Sequence, residues 1–226
     1  MSEAKGREYY DRDYFEAKTR ESLPHTREII YPNCKRTARF LCRRYAPQRV
    51  LDIGCAKGFL VEAFQAQGVT AAFGLDISLY AISEGSPTTG SRLLVADAQS
   101  GLPIRSGSFD VITALDLFEH LSDPGSTLSE IRRVLSSHGV AYLKICHPAH
   151  PNARRDPSHV NVQPLSYWRQ AFRRAEFKWR RIYEAEFTVS ATWWDCLKAL
   201  VRRWREWAVI GTPADYKFFL KKQEHG

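Results

Sequence analysis

The sequence predicts a doubly wound α/β domain on a mostly parallel sheet, and three observations carry that prediction. Short apolar, β-branched runs alternate with helical segments from Arg49 to Cys146. The first run passes straight into a glycine turn and a helix, Val50-Leu51-Asp52-Ile53-Gly54-Cys55-Ala56-Lys57-Gly58-Phe59-Leu60. Three later runs end in a carboxylate (Asp76, Asp97 and Asp116), on the rim where open α/β sheets bind ligands.

The elements follow in chain order. Residues 7–20, with Tyr9, Tyr10, Tyr14 and Phe15 among charges, read as a short aromatic helix that packs on the domain's side or covers its ligand. Residues 1–31 are therefore set apart as an N-terminal helical lid segment, and 32–226 as the domain proper. Pro32 suits a helix start and Ala46-Pro47 its end, with Phe40 and Leu41 facing inward. The run Arg49–Ile53 is a buried strand. Gly54 permits the sharp turn, and Gly58 removes a Cβ where a helix passes close to a ligand or strand. Phe59–Gln67 is the helix, closed by Gly68, and Val69–Leu75 is a strand before Asp76. Ile77–Glu84 is helical, and Ser91–Ala96 and Phe109–Leu115 are strands before Asp97 and Asp116. Asp123 caps a helix that has Pro124 at its first position and is expected to run to Gly139. Val140–Cys146 is the fifth strand, Pro164–Ala175 a helix, and Phe177–Phe187 a strand.

Composition narrows the function classes. With 226 residues the chain can build one large-cored α/β domain. It has no apolar run of the roughly 18 residues that a membrane span needs, and Met1–Lys5 lacks the apolar stretch of a secretion signal. The five cysteines, at 34, 42, 55, 146 and 196, show no paired spacing. Reduced thiols in the cytoplasm are expected, and no metal site. The net charge of +8 is uneven: residues 1–150 carry 18 Lys/Arg against 17 Asp/Glu, and 151–226 carry 15 against 8 together with all six tryptophans. The basic, aromatic last third is where partner specificity is expected.

A nucleotide is the first ligand to consider over the turn. An acidic residue 22 positions after Gly54 suits hydrogen bonds to ribose hydroxyls. A dinucleotide fingerprint would need small residues where Ala56 and Phe59 stand, and the bulk of Phe59 disfavours it. No phosphate-binding GxxxxGK[ST] loop is present.

The motifs resemble the class I S-adenosylmethionine-dependent methyltransferases of the small-molecule group. Their DIGCGxG turn stands here as Asp52-Ile53-Gly54-Cys55-Ala56-Lys57-Gly58, with Ala56 in place of the middle glycine. Further matches are Gly74–Ser78, Ala96-Asp97-Ala98 with Leu102-Pro103, Phe109–Ile112, Asp116–Leu121 and Arg132–Leu135. The resemblance covers roughly residues 35–146 and implies a Rossmann-like seven-stranded sheet with a C-terminal antiparallel hairpin. The cofactor it implies is S-adenosyl-L-methionine. Asp52, Gly54, Cys55 and Gly58 would shape the methionine end of its pocket. Asp76 would bind the ribose hydroxyls, Ile77 would pack on adenine, and Asp97 with the Ala98 amide would meet the adenine edge. Asp116 and Phe118 would line the pocket below the sulfonium, with His120 close by. The acceptor is expected to be a small or medium organic molecule, a natural-product intermediate, sugar or peptide terminus, with oxygen favoured only because histidines able to deprotonate it are present. Methylation of nitrogen, carbon or RNA, and a catalytically silent cofactor-binding subunit, are the alternatives.

Three histidines are candidates for the base: His159 in Asp156–Asn161, His147 after the fifth strand, and His120. His159 and His147 are placed first on the substrate side, and His120 on the cofactor side. The hairpin partner is expected at Asp215–Lys221, which leaves 189–213 as an insertion. Its helix, 193–210, gathers Trp193, Trp194, Leu197, Leu200, Val201, Trp204 and Trp207 on one side, with Lys198, Arg202 and Arg205 opposite. Packing or a dimer contact, a substrate wall, and a membrane-surface contact are its three readings. Nucleic acid is disfavoured, because no RNA-binding module or base-methylating motif appears.

Overall fold

The computed structural model describes residues 5–16, 24–183, 186 and 215–223. Its strands are β1 (Arg49–Ile53), β2 (Ala71–Asp76), β3 (Leu93–Val95), β4 (Phe109–Leu115), β5 (Leu135–Ile145), β6 (Phe177–Arg181) and β7 (Tyr216–Lys222). They form one seven-stranded sheet in the order β3-β2-β1-β4-β5-β7-β6. The first five pair in parallel, and β7 lies antiparallel between β5 and β6. This is the Rossmann-like sheet with its terminal hairpin. The chain winds outward from β1 to β3, then returns to lay β4 on the other side of β1. That reversal opens a crevice at the carboxyl ends of β1 and β4.

The helices are α1 (Arg12–Phe15), α2 (Arg27–Tyr45), α3 (Phe59–Gln65), α4 (Leu79–Ser83), α5 (Pro124–Val134) and α6 (Leu165–Arg174). Successive strand residues point to opposite faces, so both faces of the buried sheet are apolar. On one face Val50, Ala72, Val111, Tyr142 and Phe219 pack with Leu41 of α2 and Phe64 of α3. On the other, Leu51, Leu75, Ile112, Leu143 and Phe218 pack with Leu128 and Ile131 of α5 and with Trp168 and Phe172 of α6.

Most boundaries shift by one or two residues; the start of α2, the passage from α5 into β5 (which begins at Leu135 rather than Val140) and the end of β6 differ by more. Helix α2 begins at Arg27, which leaves Pro32 inside it. Thr26 is extended and its carbonyl accepts from Ile30, so the first turn is built before the proline arrives. Helix α5 stops at Val134, five residues short of Gly139. The carbonyls of Arg133 and Val134 accept the N–H groups of Gly107 and Ser108 at 3.0 and 2.8 Å, and Leu135 is already extended and paired with Phe109. Strand β6 ends at Arg181 rather than Phe187. The insertion 189–213, with its tryptophan-rich helix 193–210, lies outside the described residues.

Candidate active site

The turn after β1 is held by two backbone bonds, from the N–H groups of Gly54 and Cys55 to the Leu75 carbonyl at 2.8 and 3.0 Å. Gly54 has φ +74°, and a Cβ there would lie 3.2 Å from Leu117 Cδ1. Ala56 also has a positive φ, 47°. Its N–H donates to Asp76 Oδ2 at 2.8 Å, and the Ser78 N–H donates to Oδ1 at 2.8 Å. Burial raises the pKa of Asp76, while these amides oppose the rise. Asp52 is buried and accepts from Thr113 Oγ1 at 2.6 Å. Burial pushes its pKa up to about 7 against that bond, with the Asp76 charge adding to the rise.

Above the turn opens a cavity of about 720 Å³, within the size range of cofactor sites. Of the residues expected there, Asp52, Gly54, Cys55, Asp76, Ile77, Asp97, Ala98, Asp116, His120 and His159 line it. Asp97 accepts from Gln99 N at 2.9 Å and Ser100 Oγ at 3.0 Å. Asp116 sits at φ +51° and accepts from Lys144 Nζ at 2.7 Å, with Asp215 3.4 Å from the same ammonium. S-adenosylmethionine fits this wall. The Gly54 cradle leaves room that a Cβ would fill, and the Asp52, Asp76, Asp97 and Asp116 carboxylates on the wall offer acceptors to hydroxyl and amine donors.

Three expected residues lie off the wall. Phe118 is fully buried, edge-on to Trp168 at 5.8 Å, because its turn points it into the α6 core rather than under a ligand. Gly58 starts α3 at φ +74°, where a Cβ would come within 2.8 Å of Leu93 Cδ1; it serves close packing. His147 packs on Tyr216 with ring centroids 4.6 Å apart, and its Nδ1 accepts from Ala149 N at 3.0 Å. Both contacts lie beside the cavity and not in it.

His120 and His159 do come together, with ring centroids 4.7 Å apart. His120 Nδ1 lies 2.9 Å from Ser158 Oγ and 3.3 Å from the Ser158 carbonyl, and Ser158 Oγ in turn donates to Asp156 Oδ1. A carbonyl only accepts, so Nδ1 carries the proton and Nε2 keeps its lone pair. Burial, and then His159, depress the His120 pKa to about 4; burial also lowers that of His159, with Asp156 opposing. Both imidazoles are thus neutral near pH 7. Beside them Glu119 is 1% exposed. Its Oε1 accepts from Cys146 N at 3.2 Å, while its Oε2 has no hydrogen-bond partner. Burial, and then the Asp116 charge, raise its pKa well above the usual carboxylate range.

Several wall residues escaped sequence reasoning: Glu119, Lys144, His25, His150 and Asp215. Glu119 sits inside a quoted motif, and Lys144 is the one cation in the apolar β5 run; both were findable. His25 and Asp215 reach the cavity from regions that carry no motif. From the N-terminus, Tyr10, Tyr14 and Phe15 line the cavity. The segment is tied down by Arg7 Nε donating to the Ile77 carbonyl at 3.1 Å and by Ser78 Oγ donating to the Tyr10 carbonyl.

Known proteins resemble this chain in sequence and fold. The methyltransferase-domain family profile matches residues 51–143. The uncharacterized methyltransferase YcgJ of Bacillus subtilis is 30% identical over 191 residues, 77% of this chain and 69% of that protein. The ubiquinone biosynthesis O-methyltransferase of Thiobacillus denitrificans is 31% identical over 105 residues, 43% of this chain and only 44% of that protein. A SAM-dependent methyltransferase from Archaeoglobus fulgidus shares the fold, with a TM-score of 0.66 over 92% of this chain and 98% of that one at 20% identity. No helix among the described residues is long and apolar enough to cross a membrane. Its fold, its motifs and its YcgJ relative place this chain in the class I S-adenosylmethionine-dependent methyltransferases.

Proposed function

We propose that this methyltransferase modifies a hydroxyl oxygen of a small or medium organic acceptor: a natural-product intermediate, a sugar or a peptide terminus. One observation carries the choice of oxygen. Glu119, His120 and His159 bring free lone pairs to the cavity wall beside the Asp116 rim, and a hydroxyl becomes a strong nucleophile only as its proton leaves. The partial match to a ubiquinone biosynthesis O-methyltransferase supports the same atom.

S-adenosylmethionine supplies a methyl group on a cationic sulfur. In this reading Asp52, Gly54 and Cys55 shape the pocket's methionine end, Asp76 accepts from the ribose hydroxyls, and Ile77 packs on adenine. Asp97 and the Ala98 amide meet the adenine edge, and Asp116 faces the sulfonium side. Gly58 and Phe118 support the wall from behind. Tyr10, Tyr14 and Phe15 form a lid that excludes water, and His120 and His159 mark where the acceptor's proton leaves. Catalysis by the chain is then chiefly alignment plus that deprotonation. The described cysteines Cys34, Cys42, Cys55 and Cys146 are free thiols, which supports a cytoplasmic setting.

The test is a panel of hydroxyl, amine and RNA acceptors, read by mass spectrometry for one added methyl and for S-adenosylhomocysteine. Methylated hydroxyl products are expected, and His120→Ala or His159→Ala should slow turnover about a hundredfold with cofactor affinity unchanged. Product confined to amines or RNA would move the reaction off oxygen. Cofactor binding without turnover on any acceptor would make the chain a silent partner subunit.

A further inference from the structure

We propose that Glu119, His120 and His159 form a binding site for a divalent transition-metal ion, with an open position toward the cavity. One ligand atom from each residue lies within 4.8 Å of the other two. Glu119 Oε2 and His159 Nδ1 are buried with no hydrogen-bond partner, and His120 Nε2 keeps a lone pair because Nδ1 is the protonated nitrogen. Buried acceptors left unpaired cost stability, and Glu119 and His159 each carry one in this cluster. A cation among the three residues removes that cost. Two imidazoles and one carboxylate are the donor set of catalytic zinc sites, which keep one position for water or substrate. Zn–N and Zn–O distances of about 2.0–2.2 Å require the three atoms to draw in by about an ångström or a little more.

The surroundings match what metal-binding histidines need. Each usually gives its second ring nitrogen to a carboxylate, carbonyl or similar acceptor that fixes its orientation. Asp156 stands beside both rings: its Oδ1 accepts from Ser158 Oγ, which accepts from His120 Nδ1, and its Oδ2 lies 3.8 Å from His159 Nε2, beyond hydrogen-bond length. The second cluster in the cavity, Cys146, His150 and Asp215, is a poorer site. Lys144 already occupies Asp215 at 3.4 Å, His150 Nδ1 accepts from Asn152 N at 3.2 Å, and burial pushes the Cys146 thiol up to about 12. The lack of paired cysteine spacing argued against zinc from sequence, but this donor set is assembled by folding from residues 39 positions apart and contains no cysteine.

Ion binding stands on the geometry alone, while its use rests on the hydroxyl reading above. An acceptor hydroxyl on the open position ionises more readily beside the cation and releases its proton to solvent. The oxygen then bonds to the methyl carbon as the sulfur–methyl bond breaks and its pair returns to sulfur, leaving a methyl ether and a neutral thioether.

The full chain, stripped with chelator and without cofactor or acceptor, is titrated with zinc by calorimetry and with cobalt by visible absorption. One equivalent is expected to bind, with a cobalt spectrum of low coordination number and a rise in Tm. Glu119→Gln and His159→Ala should each weaken binding at least tenfold. Ser158→Ala, which removes no ligand, should weaken it about tenfold through His120. His150→Ala should leave it unchanged. Absent stoichiometric binding, undiminished binding in correctly folded Glu119→Gln and His159→Ala, or loss of binding in His150→Ala would each overturn the site. Hydroxyl methylation that persists in stripped enzyme would overturn the ion's role and leave the oxygen reading intact. Ion binding without hydroxyl methylation would do the reverse.

Discussion

Ala56 holds a left-handed backbone at φ 47° and gives its N–H to Asp76. A Cβ in that conformation costs about 1–2 kcal/mol, and glycine would remove the strain at about 0.5–1 kcal/mol of added chain entropy. Ala56→Gly should therefore leave stability unchanged or raise it by up to about 1 kcal/mol, read as the midpoint of a urea melt. Gly54→Ala should cost about 1–2 kcal/mol, since it adds a left-handed Cβ and presses it on Leu117. The missing glycine was visible in the turn motif, and an added methyl was its foreseeable effect. The strain depends on φ, which no motif states. Asp76 accepts from two backbone amides, one of them fully buried, as well as lining the cavity. Asp76→Ala should weaken S-adenosylmethionine at least tenfold by calorimetry and lower stability by about 1–3 kcal/mol. Lost stability with unchanged affinity would leave the residue only its structural role.

At the scale of elements, Glu62 fastens α2 to α3 and to the loop before β3. It accepts from Arg27 Nη1 at 2.6 Å, from Arg27 Nη2 and from Ser86 Oγ. The Arg27 guanidinium first, with Ser86 and Tyr31 helping and burial opposing, holds the Glu62 carboxyl down at about 2, against 4.5 ordinarily. A carboxyl depressed in the fold stabilises at pH above its unfolded value. That contribution falls away from about pH 4.5 down to about 2. Arg27→Ala should thus lower stability at every pH above about 4.5, with the loss shrinking as pH falls toward about 2, followed by urea melts read by circular dichroism at pH 7 and pH 3. The same pair explains why α2 starts ahead of Pro32. The proline is a local start signal, but the first turn is anchored by a partner 35 residues away. Strands β1 and β4 were legible to the residue because β-branched runs ended at a glycine turn and a carboxylate. The end of α5 was not, since hydrogen bonds from Gly107 and Ser108 terminate it.

For the whole molecule, the sheet side of the cavity follows the strand ends and so was readable in order along the chain: Asp52, Asp76, Asp97, Asp116. The opposite side converges from the N-terminus, the Asp156–Asn161 loop and the approach to β7, and their sequences carry no spacing that announces a meeting. His159 was a candidate from its polar loop, whereas the place of His25 and Asp215 on the cavity wall is visible only in three dimensions. The N-terminal segment shows what this convergence adds. Tyr10 and Tyr14 pack edge-on at 5.0 Å, Tyr10 lies 6.1 Å from His120, and burial, their first cause, raises both phenol pKa values. Residues 5–16 contribute no strand to the sheet, and Tyr10, Tyr14 and Phe15 line the cavity, which supports the proposed lid. Tyr10→Ala with Tyr14→Ala should speed S-adenosylhomocysteine release and weaken S-adenosylmethionine at least tenfold, by stopped-flow and calorimetry, while Tm falls only slightly. A large fall in Tm would make these rings part of the core, and unchanged release would remove the lid from the reaction.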